Sequence, residues 1–165
     1  MKNTRVEWIG WAAVVHSVRT AVAAVVSLLV AQLFRLPATY WAPITTLVIT
    51  QSSLGAAFTV SSQRFVGTAL GAVVGGIAAN YLDPGALVLG ACVFLLGLLC
   101  AVTRSGWSAY RFGGVTLVIV LLVPRTGPAW QVAFHRFAEV SIGIAVALML
   151  AWVWPATEDA PAETK

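Results

Sequence analysis

The chain has 165 residues, of which 59% are hydrophobic and 10% charged, with a mean hydropathy of +0.88. That leaves too little polar surface to cover a water-soluble globule of this size, which excludes a soluble enzyme or binding domain and points to a multi-spanning membrane protein. The net charge of +4 comes from basic residues scattered singly along the chain, an arrangement that argues against nucleic acid and makes these residues reporters of membrane orientation.

Residues 1–17 carry Lys2, Arg5, Trp8, Trp11 and His16, a mixed stretch that predicts a short helix lying at the membrane surface. The apolar run that follows is too long for a signal-peptide core and lacks a small-residue cleavage pattern, so it is expected to stay as the first span. Spans are expected at 18–35, 39–55, 64–82, 86–104, 110–124 and 130–154, each long enough to approach the ~30 Å hydrocarbon core. Between them, Leu36-Pro37-Ala38-Thr39, Asp83-Pro84-Gly85 and the Pro124, Gly127, Pro128 group are breaks, because proline cannot continue a helix and glycine accepts positive φ. The polar, acidic tail 156–165 has no apolar face to bury and is expected to be disordered. The fold class is therefore an all-α membrane protein: an N-terminal interfacial segment (1–17), a six-helix transmembrane module (18–155) and a cytoplasmic tail.

Placing the amino terminus in the cytoplasm puts Lys2, Arg5, Arg19, Arg64, Arg104, Arg111 and Lys165 inside and Arg35, Arg125 and Arg136 outside, as the positive-inside rule prefers. Trp8, Trp11, Trp107, Trp152 and Trp154 then fall at the inner interface and Trp41 and Trp130 at the outer one, where the amphipathic indole is most stable. Both termini are expected in the cytoplasm. Cys92 and Cys100, two turns apart in one apolar run, cannot bridge without breaking that helix.

An internal repeat is visible. Offset by 70 residues, Tyr40-WAPITTLVI aligns with Tyr110-RFGGVTLVI, and Ser27 to Ala31 with Gly97 to Ala101; offset by 72, Arg64-Phe65 and Gly71 align with Arg136-Phe137 and Gly143. Three spans per copy is an odd number, so the second copy enters the bilayer inverted, giving a 3+3 inverted-topology repeat of the kind transporters use. Six unrelated spans are the alternative, since apolar helices match easily.

The stretch 40–76 holds most of the candidate functional residues. Glu139, nine residues into the last span, is costly there unless paired, wetted or protonated; Arg136 and His135 share its helical face. The choice is between a proton-coupling site at Glu139 and His135 and a structural Arg–Glu pair. Arg64 sits in a polar connector, where its simplest reading is a snorkelling anchor at the inner end of the third span, the other being attraction of an anion. Gly67, Gly71, Gly75 and Ala79 form a small-residue stripe for close helix packing, with Gly143 as the counterpart in the last span. Thr45, Thr46, Thr50 and Gln51 load the second span with polar groups; hydroxyls bonding back to helix carbonyls explain the threonines, and lining a conduit is the other reading. No HExxH, CxxC, GxxxxGK or nucleophile-elbow motif is present, so no catalytic, metal or cofactor site is expected.

The order Tyr40-Trp41-Ala42-Pro43-Ile44-Thr45, then Gln51, Gly55-Ala56 and Arg64-Phe65-x-Gly67-Thr68-x-x-Gly71-Ala72-x-x-Gly75, with Arg136-Phe137-x-Glu139-x-x-x-Gly143 near the end, resembles the fusaric acid resistance protein-like (FUSC) family. That family is related to bacterial aromatic acid exporters and plant aluminium-activated malate transporters. The resemblance implies an inner-membrane module that exports small organic anions, aromatic carboxylates foremost, with proton coupling proposed for the exporters. On it, Arg136, Arg64, Thr45, Thr46, Gln51 and Trp41 are the candidate substrate-binding residues. Ser53 stands where many relatives have proline. Relatives usually carry a second membrane module or a large cytoplasmic domain, whereas this chain stops about ten residues after its sixth span, so a homo-oligomer, most simply a dimer, is expected. A passive anion channel and a non-transporting membrane scaffold are the competing functions.

Overall fold

The computed structural model describes residues 4–50, 54–124 and 127–154. Six α-helices follow in order: α1 (Thr4–Leu33), α2 (Trp41–Thr50), α3 (Leu54–Tyr81), α4 (Ala86–Val102), α5 (Gly106–Leu122) and α6 (Ala129–Val153), with no strand among the described residues. The proline breaks fall where expected, Pro37 between α1 and α2, Pro84 before α4, and Pro128 as the extended residue that caps α6. The ends of α1 and α4 are built alike. Leu36 N donates to Ala31 O across Arg35 at φ 52°, and Ser105 N donates to Cys100 O across Arg104 at φ 51°, so an arginine takes the left-handed C-terminal position that glycine usually fills.

Two expected boundaries are corrected. α1 is one helix from Thr4 to Leu33, so the amino-terminal stretch is continuous with the first apolar run; it contains no proline, and a lone Gly10 costs only about 1 kcal/mol and does not end a helix. α3 is already helical at Leu54 rather than from 64, and the described part of α2 has ten residues, about 15 Å at 1.5 Å per residue. The run Thr59 to Arg64 read as a connector because it is polar. Inside α3 its hydroxyls bond back along the helix, Thr59 to Gly55 O and Ser62 to Thr59 O, and the helix continues through them. Residues 51–53, including Gln51, and the tail expected to be disordered lie outside the described residues.

The third correction concerns span length. Of the six helices, α1 over Ala13–Leu33 and α6 are long and apolar enough to cross a membrane by length and composition, while α2, α4 and α5 are apolar but have 10–17 residues. α3 is long but carries Ser61, Ser62, Gln63 and Arg64 within it.

α3 is central, packing on α5 and α6; α2 packs on α6, α1 on α2 and α6, and α4 on α5 and α3. The glycine stripe explains how α3 reaches α5. Gly67 faces the Ala109 backbone, Gly71 faces that of Gly113, and a Cβ at Gly75 would stand 3.3 Å from Leu117 Cα, so the two helices run parallel in backbone contact. The stripe is thus occupied within the chain. Gly143 plays the same part between α6 and α2, where a Cβ would stand 2.5 Å from Ala42 O. Three apolar clusters fill the remaining space, the smallest of them Ala72, Val120 and Ala133 between α3, α5 and α6. Cys92, Leu96, Cys100, Leu117 and Leu121 join α4 to α5, both thiols free and buried, and Ile49, Ala57, Val140, Ile144 and Ala147 join α2, α3 and α6.

Candidate functional site

Where α2, α3 and α6 meet, the protein buries three charged side chains. Glu139 is 0% exposed, Arg136 4% and Arg64 8%, with Thr45 and Thr46 beside them at 0%. Charges so far from solvent persist only when other groups answer them.

Arg136 and Glu139 pair across one turn of α6, Nη1 to Oε2, at 3.4 Å. The other carboxylate oxygen accepts the Ala38 amide at 3.1 Å, in the turn between α1 and α2. Glu139 therefore ties α6 to the outgoing end of α1. The Arg136 guanidinium also lies over the ring of Trp41, the first residue of α2, 3.7 Å from its centroid, a cation–π contact.

Arg64 is corrected from its expected place. It lies ten residues inside α3 rather than at a span end, so it is a core residue and not a snorkelling anchor. Its Nη2 donates to Thr45 Oγ1 at 3.0 Å and its guanidinium lies over Phe112 of α5 at 4.8 Å. Thr45 in turn donates to Trp41 O at 3.0 Å, Thr46 to Ala42 O at 3.0 Å and across to Gly143 O at 3.1 Å, and Thr50 to Thr46 O at 2.6 Å. The threonines of α2 thus bond back to their own helix, and two of them also reach outward: Thr46 bridges to α6, and Thr45 accepts Arg64.

The charges do not balance. Of the two guanidinium groups only that of Arg136 meets the carboxylate, like charge on Arg136 opposes that on Arg64, and the Nε of each is buried without a hydrogen-bond partner. The arrangement offers directed, under-used cationic donors beside hydroxyls and aromatic faces, which is chemistry for holding an anion. His135 does not join it; its half-buried ring stands against Phe134, centroids 6.3 Å apart. Two cavities, about 500 Å³ beside Trp107 and Tyr110 between α4 and α5 and about 540 Å³ beside Trp130 and Phe134 between α3 and α6, include none of Arg64, Arg136 and Glu139 in their walls.

Three participants escaped sequence reasoning. Phe112 and the Ala38 amide are set by tertiary packing and left no local signal. Arg19, read as an orientation marker, is 3% exposed; its place on one helical stripe with Ala23, Ser27 and Ala31 was the available sign.

Residues 22–150 match the family model described as fusaric acid resistance protein-like. Among curated proteins, the chain is 31% identical over 148 residues to the inner membrane protein YeeA of Escherichia coli K12, covering 86% of this chain and 41% of that one. It is 26% identical over 156 residues to the uncharacterized transporter YdhK of the same organism, covering 89% and 23%, and 26% identical over 144 residues to the inner membrane protein YccS, covering 85% and 20%. The chain spans less than half the length of these relatives. No solved structure matches it.

Proposed function

Because this chain belongs to the fusaric acid resistance protein-like family, we propose that it is an inner-membrane transport module that exports small organic anions, aromatic carboxylates foremost. The observation that carries this reading is the imbalance at the core, where Arg64 and Arg136 are both buried and the one carboxylate, Glu139, pairs with Arg136. A substrate carboxylate supplies the missing negative charge, and the faces of Trp41 and Phe112 suit an aromatic body beside it. Thr45 and Thr46 line the path, and Gln51, outside the described residues, is assigned to it on the family resemblance alone. Glu139 couples the step to protons, since protonation would release both Arg136 and the Ala38 amide, and His135 one turn earlier relays the proton. In the arrangement described here the cluster is closed, so passage requires α2 to part from α6.

An inverted 3+3 architecture is part of the proposal. It is supported by the pattern of neighbours, in which α1 touches α2 and α6 as α4 touches α5 and α3, while α2 packs on α6 as α5 packs on α3. The arginine-bearing turns after α1 and α4 support it too, as does the contact of Phe65 with Phe137, 72 positions apart. A cytoplasmic position for both termini is also part of the proposal; with Arg19, Arg64 and Arg136 buried, it is supported by Lys2, Arg5, Arg104, Arg111 and Lys165 on that side against Arg35 and Arg125 on the other. The homodimer rests on the family resemblance alone, because the glycine stripe is spent inside the chain; native mass spectrometry in lipid nanodiscs should find two copies, and one copy with flux intact would remove the dimer.

Two other readings compete. A passive channel would carry the same anions with no proton gradient. A non-transporting membrane scaffold is favoured by the closed Arg136–Glu139 pair. Reconstitution into liposomes with a panel of aromatic and aliphatic acids and neutral solutes separates them: saturable carboxylate efflux stimulated by a pH gradient supports the exporter, gradient-independent flux the channel, and no flux of any solute the scaffold.

A further inference from the structure

Arg19 occupies one stripe of α1 with Ala23, Ser27 and Ala31, one residue per turn, and none of the four is more than 3% exposed. This is the face α1 turns to α2 and α6, the helices it packs against. Three of the four are small and let the helices approach. The fourth is an arginine for which the described residues provide no counter-charge: the ion pair they contain is that of Arg136 with Glu139. Its Nε is buried without a partner, and so is the neighbouring Thr20 Oγ1.

Its depth differs from that of the central pair. Arg136 lies at Trp41, where α2 begins, and Arg64 at Thr45, one turn along. Arg19 stands fourteen residues before Leu33, the end of α1, about 21 Å back along a helix that returns through a short turn into α2, whose described part is about 15 Å long. Arg19 therefore lies beyond the level of Thr50, the last described residue of α2. Three buried guanidinium groups are spaced through the bundle, and the one nearest the start of α1 has, among the described residues, no hydrogen-bond partner for its Nε and no counter-charge.

We infer that Arg19, with the Thr20 hydroxyl, forms a second anion site, which takes the carboxylate of the transported organic acid at the end of the bundle opposite Arg136. This rests on the transport reading above. A guanidinium with free N–H groups in a low-dielectric setting binds a carboxylate with a directed, charge-assisted pair. On the proposed orientation the site faces the cytoplasm and loads the exporter. A phospholipid phosphate, that of the phosphatidylcholine vesicles used for flux included, offers the same anionic oxygens, so benzoate binding is also measured in lipid-free maltoside detergent, where the carboxylate is the anion supplied: binding there that weakens in Arg19→Gln assigns the site to the organic acid, and binding unchanged by Arg19→Gln removes it.

The test uses the full chain, benzoate as the probe and vesicles of one orientation. Arg19→Gln should raise the half-saturating benzoate concentration at least tenfold on the face where α1 begins and change it less than twofold on the other, and Arg19→Lys should restore most of the loss. Equal effects on both faces, or none, in a variant that elutes and melts like wild type, would overturn the site. Equilibrium dialysis with benzoate separates this from failure of the transport reading. Wild type that binds without transporting, with weaker binding in Arg19→Gln, keeps the site and removes transport; wild type that transports while Arg19→Gln leaves binding unchanged removes the site; neither binding nor transport removes both.

Discussion

Phe65 of α3 and Phe137 of α6 meet ring to ring, centroids 4.9 Å apart, and each directly follows a buried arginine, Arg64 and Arg136. The contact fixes the two arginine-bearing helices against each other, side by side and antiparallel. Cysteines at 65 and 137, in a chain with Cys92 and Cys100 replaced by alanine, should cross-link on mild oxidation in native membranes. A gel or mass spectrum showing no 65–137 bridge would contradict the α3–α6 packing from which the site is built.

Gly71 and Gly90 give a matched pair for the packing claim. A Cβ at Gly71 meets the Gly113 backbone, whereas one at Gly90 meets nothing within 4 Å. Gly71→Leu should lose at least the ~1–3 kcal/mol typical of overpacking, and more because backbone must move. Gly90→Leu should stay within about 0.5 kcal/mol of wild type, as surface changes do. Thermal unfolding in detergent compares them, and equal midpoints would mean that α3 and α5 are not in close contact.

Much of this was legible beforehand, for reasons that differ by residue. The Arg136–Glu139 pair follows from i,i+3 spacing on one helix, and the proline breaks from backbone chemistry. The spacing of Gly67, Gly71 and Gly75 says that some helix comes close without saying which; α5 of the same chain is a tertiary answer. Arg64 was misplaced because Ser61, Ser62 and Gln63 resemble a connector, and hydroxyls that bond back to carbonyls let a polar run stay helical. The burial of Arg19 had one local sign, its small-residue stripe with Ala23, Ser27 and Ala31, whereas the rings over which Arg64 and Arg136 lie come from packing that no local pattern indicates.

Glu139 holds Arg136 and the Ala38 amide at once. Glu139→Gln keeps an oxygen for Ala38 but leaves Arg136 uncompensated, so stability should fall by up to the ~3–5 kcal/mol of a broken buried pair. Adding Arg136→Gln should recover part of that loss. In vesicles, Glu139→Gln should abolish the dependence of efflux on the proton gradient, and unchanged coupling would take Glu139 out of the mechanism.

Trp41 lies 3.7 Å from the Arg136 guanidinium. Trp41→Leu should cost about 0.5–2 kcal/mol of stability through the lost cation–π contact, and should weaken aromatic acids more than aliphatic acids of similar size. Equal loss for both classes, measured as half-saturating concentration, would assign Trp41 to packing only.

The most direct measurement is efflux of benzoate from proteoliposomes by wild type, Arg64→Gln and Arg136→Gln, each matched for incorporation and for elution profile. An anion held between the two buried guanidinium groups predicts saturable wild-type efflux that drops at least tenfold in either variant. Benzoate efflux equal to that of protein-free liposomes, or wild-type flux undiminished in both variants, would contradict it.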